Sequence, residues 1–366
     1  MNNPTQDKLA RVIAFHLPQF HPTPENDEWW GKGFTEWTNV AKAKPLFSDH
    51  YQPHIPADLG FYDLRLPEAR HAQAELAKEY GIEGFCYYHY WFNGKRVLEQ
   101  PLNDVLNSKT PDFPFCICWA NENWTRRWDG QNSDVLLKQT YSHEDDREHI
   151  RYLCENVFSD ERYITVDDKP VFIIYRPDLF PNMAKTIEIW REEALAHGIG
   201  ELYIAYMQSF NQRFDPKEYG FDAAIEFQPD FSKFPKRNRF LFKKLFGLLN
   251  SNKEAFLRDK VYFYEDIVKH MIAKPNPNYK CFPSAFPMWD NSARRKSGGT
   301  IVHGSTPELY GAWLQHIVSH FKPYSSEESF VFINAWNEWA EGNHLEPCQK
   351  WGHRYLEVTK DKLFKG

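Results

Sequence analysis

Apolar runs and helical patterns alternate along the whole chain. The stretch "RVIAFHLPQF" (11–20) reads as a strand, followed by a long Trp- and Pro-rich loop and a helix near 66–80. "GIEGFCYYHYWF" (81–92) is the second strand, with a helix near 97–108. "FPFCICWANENW" (113–124) is the third, with a helix near 143–158, and "KPVFIIYRPDLF" (169–180) the fourth, with a helix near 183–197. "LYIAYMQSF" (202–210) and "AAIEFQPD" (223–230) read as strands five and six, with a short helical turn between them. An inserted segment near 231–260 and a helix near 262–273 precede "KCFPSAFPMWDN" (280–291), strand seven. A helix near 306–320, then "FVFINAWNEW" (330–339) and a last helix near 350–363 complete the pattern.

Near-continuous apolar strands separated by helices predict a parallel sheet covered on both faces. Eight such β–α units predict an α/β fold, a closed (β/α)₈ TIM barrel with long βα loops. Length alone suggests two domains, but barrels of this size are common, so one domain over 1–366 is expected. A doubly wound sheet would call for a Gly-rich first turn, and "FHPTPENDEWW" after strand one contains no G-x-G-x-x-G.

Polar and aromatic residues gather where these strands end. In chain order they are His16, Gln19 and His21; Tyr88, His89, Tyr90 and Trp91; Trp119, Asn121, Glu122, Asn123 and Trp124; Tyr175 and Arg176; Gln208; Glu226 and Gln228; Trp289 and Asp290; Asn337 and Glu338. In a barrel these ends converge on one face, where catalysis sits. One pocket lined by His16, Tyr88, Trp119, Asn121, Glu226, Trp289 and Glu338 is therefore expected. Singly, a His or Tyr at such a position is more often a satisfied core group.

The net charge of −6 argues against nucleic acid as the main partner. Aromatic residues make up 17% of the chain, and Trp and Tyr suit sugar rings because they pair an apolar face with a polar tip. The N-terminus has no apolar segment of signal-peptide length, and no run approaches a membrane span, so a cytoplasmic location is expected. The six cysteines form no C-x-x-C pair, which fits buried free thiols in a reducing compartment.

The run "INAWNEWAEGNHLEP" (333–347) concentrates candidate chemistry. Glu338 and Glu341 stand three apart, beside Trp336 and Trp339, where the eighth strand should end; His344 and Glu346 follow. In a helical turn, residues three apart share a face. Two carboxyls so placed suit glycosidic-bond cleavage, one held neutral as acid while the other stays ionised. A solvated acidic turn or a helix cap is the bland alternative.

"NEWAEGNHLEP" resembles the N-E-W-x-E-G signature of glycoside hydrolase family 99, the endo-α-mannosidases and endo-mannanases. The whole chain more closely resembles the WbsX-type bacterial branch, found in lipopolysaccharide and O-antigen gene clusters and often labelled glycosyltransferase. "IAFHLPQFHP", "GKGFTEWTNV", "FCYYHYWF" and "CWANENWTRRWDG" carry that likeness. The resemblance implies a (β/α)₈ barrel acting on α-linked manno- or rhamno-configured glycans with retention and without a protein nucleophile or cofactor. It implies Glu338 as base on the substrate's own 2-hydroxyl and Glu341 as acid/base, with an oligo- or polysaccharide as substrate. The substrate-binding set expected from the strand ends and the signature run comprises His16, Gln19, Tyr88, His89, Trp91, Trp119, Asn121, Glu122, Trp124, Tyr175, Arg176, Gln208, Glu226, Gln228, Trp289, Asp290, Asn337, His344 and Glu346. The family's mannosidases usually carry His between Trp and the second Glu; this chain has Ala340.

Other readings compete. A nucleotide-sugar transferase would commonly show an acidic D-x-D for a metal, and the chain has none. A transglycosidase would use the same residues with a sugar as acceptor. "HYQPH" sets His50 and His54 at a metal-ligand spacing, but Pro53 breaks the helix that spacing requires, so no metal is expected. A sugar-binding protein without catalysis would keep the aromatic residues and could lose either Glu. Finally, "KFPKRNRFLFKKLFGLLNSNK" (233–253) holds seven Lys or Arg and no acid. It reads as a basic amphipathic helix, either lying on an anionic membrane surface or packing over the barrel mouth.

Overall fold

The computed structural model describes residues 8–126, 134–235 and 259–364. Eight parallel strands form the barrel: β1 (Arg11–His16), β2 (Gly84–His89), β3 (Phe115–Trp119), β4 (Lys169–Ile174), β5 (Tyr203–Met207), β6 (Ala223–Ile225), β7 (Cys281–Phe282 with Ser284–Ala285) and β8 (Phe330–Ile333). Each pairs in register with its neighbours in chain order, and β1 pairs with β8, Arg11 opposite Phe330.

The ring closes through β7, which Pro283 divides. Residues 281–282 pair with β6 and residues 284–285 with β8. Proline has no N–H to give a ladder, but its carbonyl still accepts from Phe332 N at 3.0 Å. The (β/α)₈ barrel read from the sequence is therefore the fold.

Outer helices follow the strands, and their ends obey ordinary capping rules. They are α3 (Pro67–Glu79), α4 (Gln100–Ser108), α5 (His143–Asn156), α6 (Met183–Ala196), α7 (Tyr264–Ile272), α8 (Pro307–His320) and α9 (Arg354–Leu363). Ser142 caps α5 by accepting from Asp145 N, and three acidic residues occupy its first turn. Thr306 caps α8 through Leu309 N, with Pro307 at the first helical position.

The expected strands ran too far. Most were read on into the polar loop that follows, so strand three (113–124) is Phe115–Trp119, and Trp124–Thr125 belongs to a separate ribbon with Val135–Leu137. The Trp- and Pro-rich loop after β1 holds two short helices that were not expected, α1 (Pro24–Trp30) and α2 (Glu36–Lys42). Beyond β6, a three-stranded side sheet joins Lys260–Phe263, Thr300–His303 and Trp289–Asp290. The basic run 233–253 lies, beyond its first three residues, outside the described residues.

Strand side chains alternate between the barrel interior and the helix layer. Phe15, Tyr88, Phe282 and Phe332 point inward, with Phe15 stacked 5.6 Å from Tyr88 and 5.7 Å from Phe332. His16, Phe85 and Tyr87 point outward, His16 sitting 5.0 Å from Phe85 and reaching Gln73 of α3. All six cysteines are buried and unbridged. Among the described residues no helix is long and apolar enough to cross a membrane.

Candidate active site

The chain leaves β8 fully buried and makes a tight hairpin. Asn337–Glu338 pairs antiparallel with Asn343–His344, and a 3₁₀ turn, Trp339–Glu341, joins them. In a 3₁₀ turn, residues three apart eclipse one another. Glu338, at the N-cap of this turn, and Glu341 therefore face each other within hydrogen-bonding reach. The turn ends on Gly342 at φ 56°, where a Cβ would approach Asp290 to 3.0 Å. Only glycine fits both demands.

Both carboxyls open onto a cleft of about 740 Å³ at the C-terminal end of the barrel strands. Burial pushes the Glu338 carboxyl well above the ordinary carboxylate range, and Glu341, within hydrogen-bonding reach, pushes it further. The Arg294 guanidinium opposes that rise. Arg294 donates to Glu341 Oε1 at 2.8 Å and to Glu36 Oε1 at 2.7 Å. Burial disfavours the Arg294 charge, but Glu36, Glu341 and Glu338 outweigh it and hold the guanidinium above its usual range. Burial likewise raises Glu36, with Arg294 opposing.

Glu36 also accepts from Ala340 N at 3.0 Å, so it grips the turn that carries the pair. The start of α2 is itself tied to the end of β1, because Glu36 N donates to Gln19 O at 2.9 Å. One buried guanidinium and one fully buried carboxyl from two different loops thus set the position of Glu341. A buried neutral carboxyl next to an ion-paired one has the makings of an acid and a base.

The two tryptophans near the pair lie beneath it. Trp339 is buried, stacks on His344 with ring centres 3.7 Å apart, and donates through Nε1 to Glu346 Oε2 at 2.5 Å. Trp336 is buried against Phe85, on the helix side of the barrel.

Seven of the other expected residues line the cleft with the pair: Gln19, Tyr88, Glu122, Trp124, Tyr175, Gln208 and Trp289. The remainder do not. His16, expected in the pocket, faces Gln73 with its imidazole depressed to about 4 by burial. His89 turns outward to His149, Nε2 to Nε2 at 3.0 Å. Trp91 donates to Asp145 at 2.8 Å, and Trp119 is buried against His149 and Phe180. Asn121, also expected in the pocket, instead clamps the backbone of Arg176, donating to its carbonyl and accepting from its N–H, both at 2.8 Å. Arg176 pairs with Glu122 and Asp178 and lies over the Phe210 ring. Glu226 is taken by Lys274.

Gln228 is buried and accepts from Asp230 N within its own turn. Asn337 holds the end of β1, its amide bonding Leu17 N at 2.7 Å and Leu17 O at 3.0 Å. Asp290 accepts from His50 at 2.6 Å and Gln52 at 2.8 Å, while His344 meets His54 at 2.9 Å. Glu346 accepts from Tyr62, Gln73 and Trp339, and burial pushes it up to about 7. His50 and His54 therefore turn to different partners, and among the described residues no group of three or more His, Cys, Asp or Glu is placed to hold a metal ion.

Sequence reading missed Glu36 and Arg294, and also the cleft residues Asn26, Trp29 and Trp30, whereas Tyr90 and Asn123, named among the strand-end residues, do line the cleft. Glu36 lies inside "GKGFTEWTNV", a run that carried the resemblance, but nothing in that run says it faces an arginine 258 residues away.

A family model described as glycosyltransferase WbsX matches residues 12–359. Two curated proteins of Xanthomonas campestris pv. campestris, each named uncharacterized protein WxcX, are similar. The one from strain B100 is 43% identical over 358 residues, 97% of this chain and 50% of its own length. The other, from a second strain, is 44% identical over the same span. The chain spans about half the length of the curated relatives it matches. Among solved structures, a glycoside hydrolase-like protein shares the fold with a TM-score of 0.63 and 14% identity, over 100% of this chain and 97% of its own. An endo-α-mannosidase of glycoside hydrolase family 99 from Bacteroides thetaiotaomicron, in complex with bis-tris-propane, gives 0.56 and 14%, over 98% and 97%.

Proposed function

The chain belongs to the family described as glycosyltransferase WbsX, and from that premise we propose that it cleaves or transfers α-linked manno- or rhamno-configured sugars of a bacterial surface polysaccharide or its intermediates. The observation that carries this reading is the facing Glu338–Glu341 pair on an aromatic-lined cleft, Glu338 buried so that its protonated form is favoured and Glu341 partly open and paired with Arg294. Glycosidic-bond cleavage by a carboxyl pair uses one neutral and one ionised member, and a raised Glu338 beside an Arg294-paired Glu341 supports that division.

In the first assignment, the sugar's 2-hydroxyl attacks C1 as Glu338 takes its proton. The glycosidic oxygen leaves with a proton from Glu341, and a 1,2-anhydro sugar results. Water, or an acceptor hydroxyl, then opens that ring while losing its proton to Glu341, and Glu338 returns a proton to O2. Only a 2-hydroxyl trans to the leaving group can attack, which α-mannose and α-rhamnose satisfy and α-glucose does not. An internal nucleophile in the right geometry supplies a large part of the rate.

A second assignment rests on where the resting proton lies. Burial favours the protonated form of Glu338, so the first assignment must begin by passing that proton to Glu341 across their shared hydrogen bond. In the reverse assignment Glu338 is the acid and Glu341 takes the 2-hydroxyl proton.

Leaving-group dependence separates the two. The variant lacking the acid keeps the first, ring-forming step on an α-mannosyl or α-rhamnosyl fluoride, whose fluoride leaves without protonation, and loses that step on an oligosaccharide. The variant lacking the base loses it on both. Glu338→Gln and Glu341→Gln are compared on the two substrate types, with products read by mass spectrometry. Full activity of both variants on a natural glycan refutes the pair as catalytic in either order.

A further inference from the structure

The cleft holds polar atoms that the carboxyl chemistry does not use. Asn26 of α1 lines the cleft and is fully buried, at 0% exposure, yet neither its Oδ1 nor its Nδ2 has a hydrogen-bond partner among the described residues. The side chain does not serve the helix end. That cap comes from Thr23, whose Oγ1 accepts from Asn26 N at 3.2 Å. Gln19 Nε2 and Trp289 Nε1 are also buried and on the cleft, without a partner among the described residues. A buried amide without partners is costly, and an apolar side chain of the same shape would be cheaper. A hydroxyl-bearing ligand entering the cleft would supply those partners.

The surroundings say what kind of partner fits. Asn26, Trp29 and Trp30 stand at i, i+3 and i+4, one face of a helix. All three line the cleft, together with Trp124 and Tyr90. Trp29 meets Trp124 edge-on at 5.5 Å, and Trp124 meets Tyr90 edge-on at 5.2 Å. Arg126 braces this wall, donating to Trp29 O at 3.3 Å with its guanidinium 5.6 Å from the Trp30 ring. The three tryptophans are half-buried, each with part of its surface open to the cleft.

An amide offers a donor and an acceptor side by side. That pairing matches two adjacent hydroxyls, one accepting from Nδ2 and the other donating to Oδ1. Indole rings match the apolar C–H face of the same sugar. We propose that this face of α1 is a sugar subsite, in which Asn26 reads a vicinal diol of a pyranose while Trp29, Trp30 and Trp124 hold its apolar face. The subsite deepens the glycan reading above, and it is built on α1 rather than on the barrel strands that carry Glu338.

The test uses the full chain and short α-linked manno- and rhamno-oligosaccharides, with affinity measured by calorimetry and cleavage by mass spectrometry. Asn26→Leu keeps the branched outline, with somewhat more bulk, and removes both polar atoms. The expected result is a loss of affinity of about tenfold or more, a matching rise in KM with kcat little changed, and a thermal midpoint no lower than the parent's. Asn26→Asp keeps the acceptor and loses the donor, and should fall between the two. Trp29→Leu should weaken binding independently if Asn26→Leu fails to fold.

Unchanged affinity in Asn26→Leu, or in Trp29→Leu where the first variant does not fold, overturns the subsite and leaves the enzyme reading standing. Binding that depends on Asn26 with no bond cleaved or transferred sinks the enzyme reading and keeps the subsite. An unsubstituted chain that binds none of these glycans overturns both.

Discussion

Replacing Arg294 by methionine removes the guanidinium that bridges Glu36 and Glu341, at N···O distances of 2.7 and 2.8 Å. The side chain of Arg294 is 10% exposed and that of Glu36 is 0% exposed, so solvent cannot take over the role. Breaking a buried ion pair by deleting one partner strands the other charge, which typically costs about 3–5 kcal/mol. The Glu36 carboxyl is already held above its usual range by burial, and Arg294 is the leading influence opposing that rise. Part of the cost will therefore appear as proton uptake by Glu36, so Arg294→Met should lose about 3 kcal/mol, the lower end of that range. The measurement is urea unfolding of Arg294→Met, Glu36→Gln and the double variant. Glu36→Gln keeps an oxygen for Ala340 N while removing the charge, so the double variant should be more stable than the sum of the single losses implies, by at least about 1 kcal/mol. Activity gives a second readout. Arg294 pulls the Glu338 carboxyl down, so its loss should move the pH dependence governed by Glu338 upward. A single variant that loses less than about 1 kcal/mol, or a double variant with strictly additive losses, would refute the account of Glu36 and Arg294 as one buried unit.

Glu346 has a folded value of about 7 against an ordinary 4.5, so the folded chain binds the extra proton between those values. Stability from this group is full below about pH 4.5 and falls as pH rises through 7, by about 3 kcal/mol in total; Glu346→Gln should flatten that slope in parallel urea titrations, and an unchanged slope counts against the assignment. Gly342→Ala places a side chain at φ 56° and 3.0 Å from Asp290, so it should cost about 1–3 kcal/mol and misplace Glu341; a variant with full stability and activity would show the turn to be tolerant. Trp119 is buried on the helix side of the barrel, so Trp119→Ala should lose about 3–5 kcal/mol with KM unchanged, whereas Tyr88→Phe on the cleft should keep its stability and lose activity. Equal effects of the two on KM would contradict the division between inner and outer positions.

That division explains how much of this protein is legible from its chain. The apolar runs located all eight barrel strands, and the helical patterns located the seven outer helices within a few residues. What the runs hid was where each strand stops. An apolar run that continues as Trp, Tyr and Asn keeps a strand-like composition after the ladder has ended, as at "CWANENW", where pairing stops at Trp119. The helices α1 and α2 are too short, and too rich in Trp and Pro, to announce themselves by period. Yet α2 brings Glu36 to Arg294, and α1 brings Asn26 to the cleft. Both contacts join residues far apart in the chain, and no local pattern encodes them.

The list of expected pocket residues failed in a more instructive way. It took every polar residue near a strand end, although a strand presents its side chains to opposite faces in turn. On β2, Tyr88 meets Phe15 inside the barrel, so Tyr87 and His89 on either side of it must face the helices. On β3, the register pairs His89 with Trp119, and both point outward to His149. On β1, Phe15 is inward, which makes His16 outward whatever its chemistry. One inward residue per strand, chosen from aromatic and aliphatic positions that must pack in the barrel, would have removed His16, His89 and Trp119 from the pocket without any structure. The same count does not reach Asn121, Glu226 or Gln228, which lie past their strands where the period of two no longer holds. Their partners, Arg176, Lys274 and Asp230, are set by loop conformation. The carboxyl pair escaped this difficulty because its spacing was read within a turn. Residues three apart share a face in a 3₁₀ turn as they do in an α-helical one, so the inference that they meet survived a wrong choice of turn.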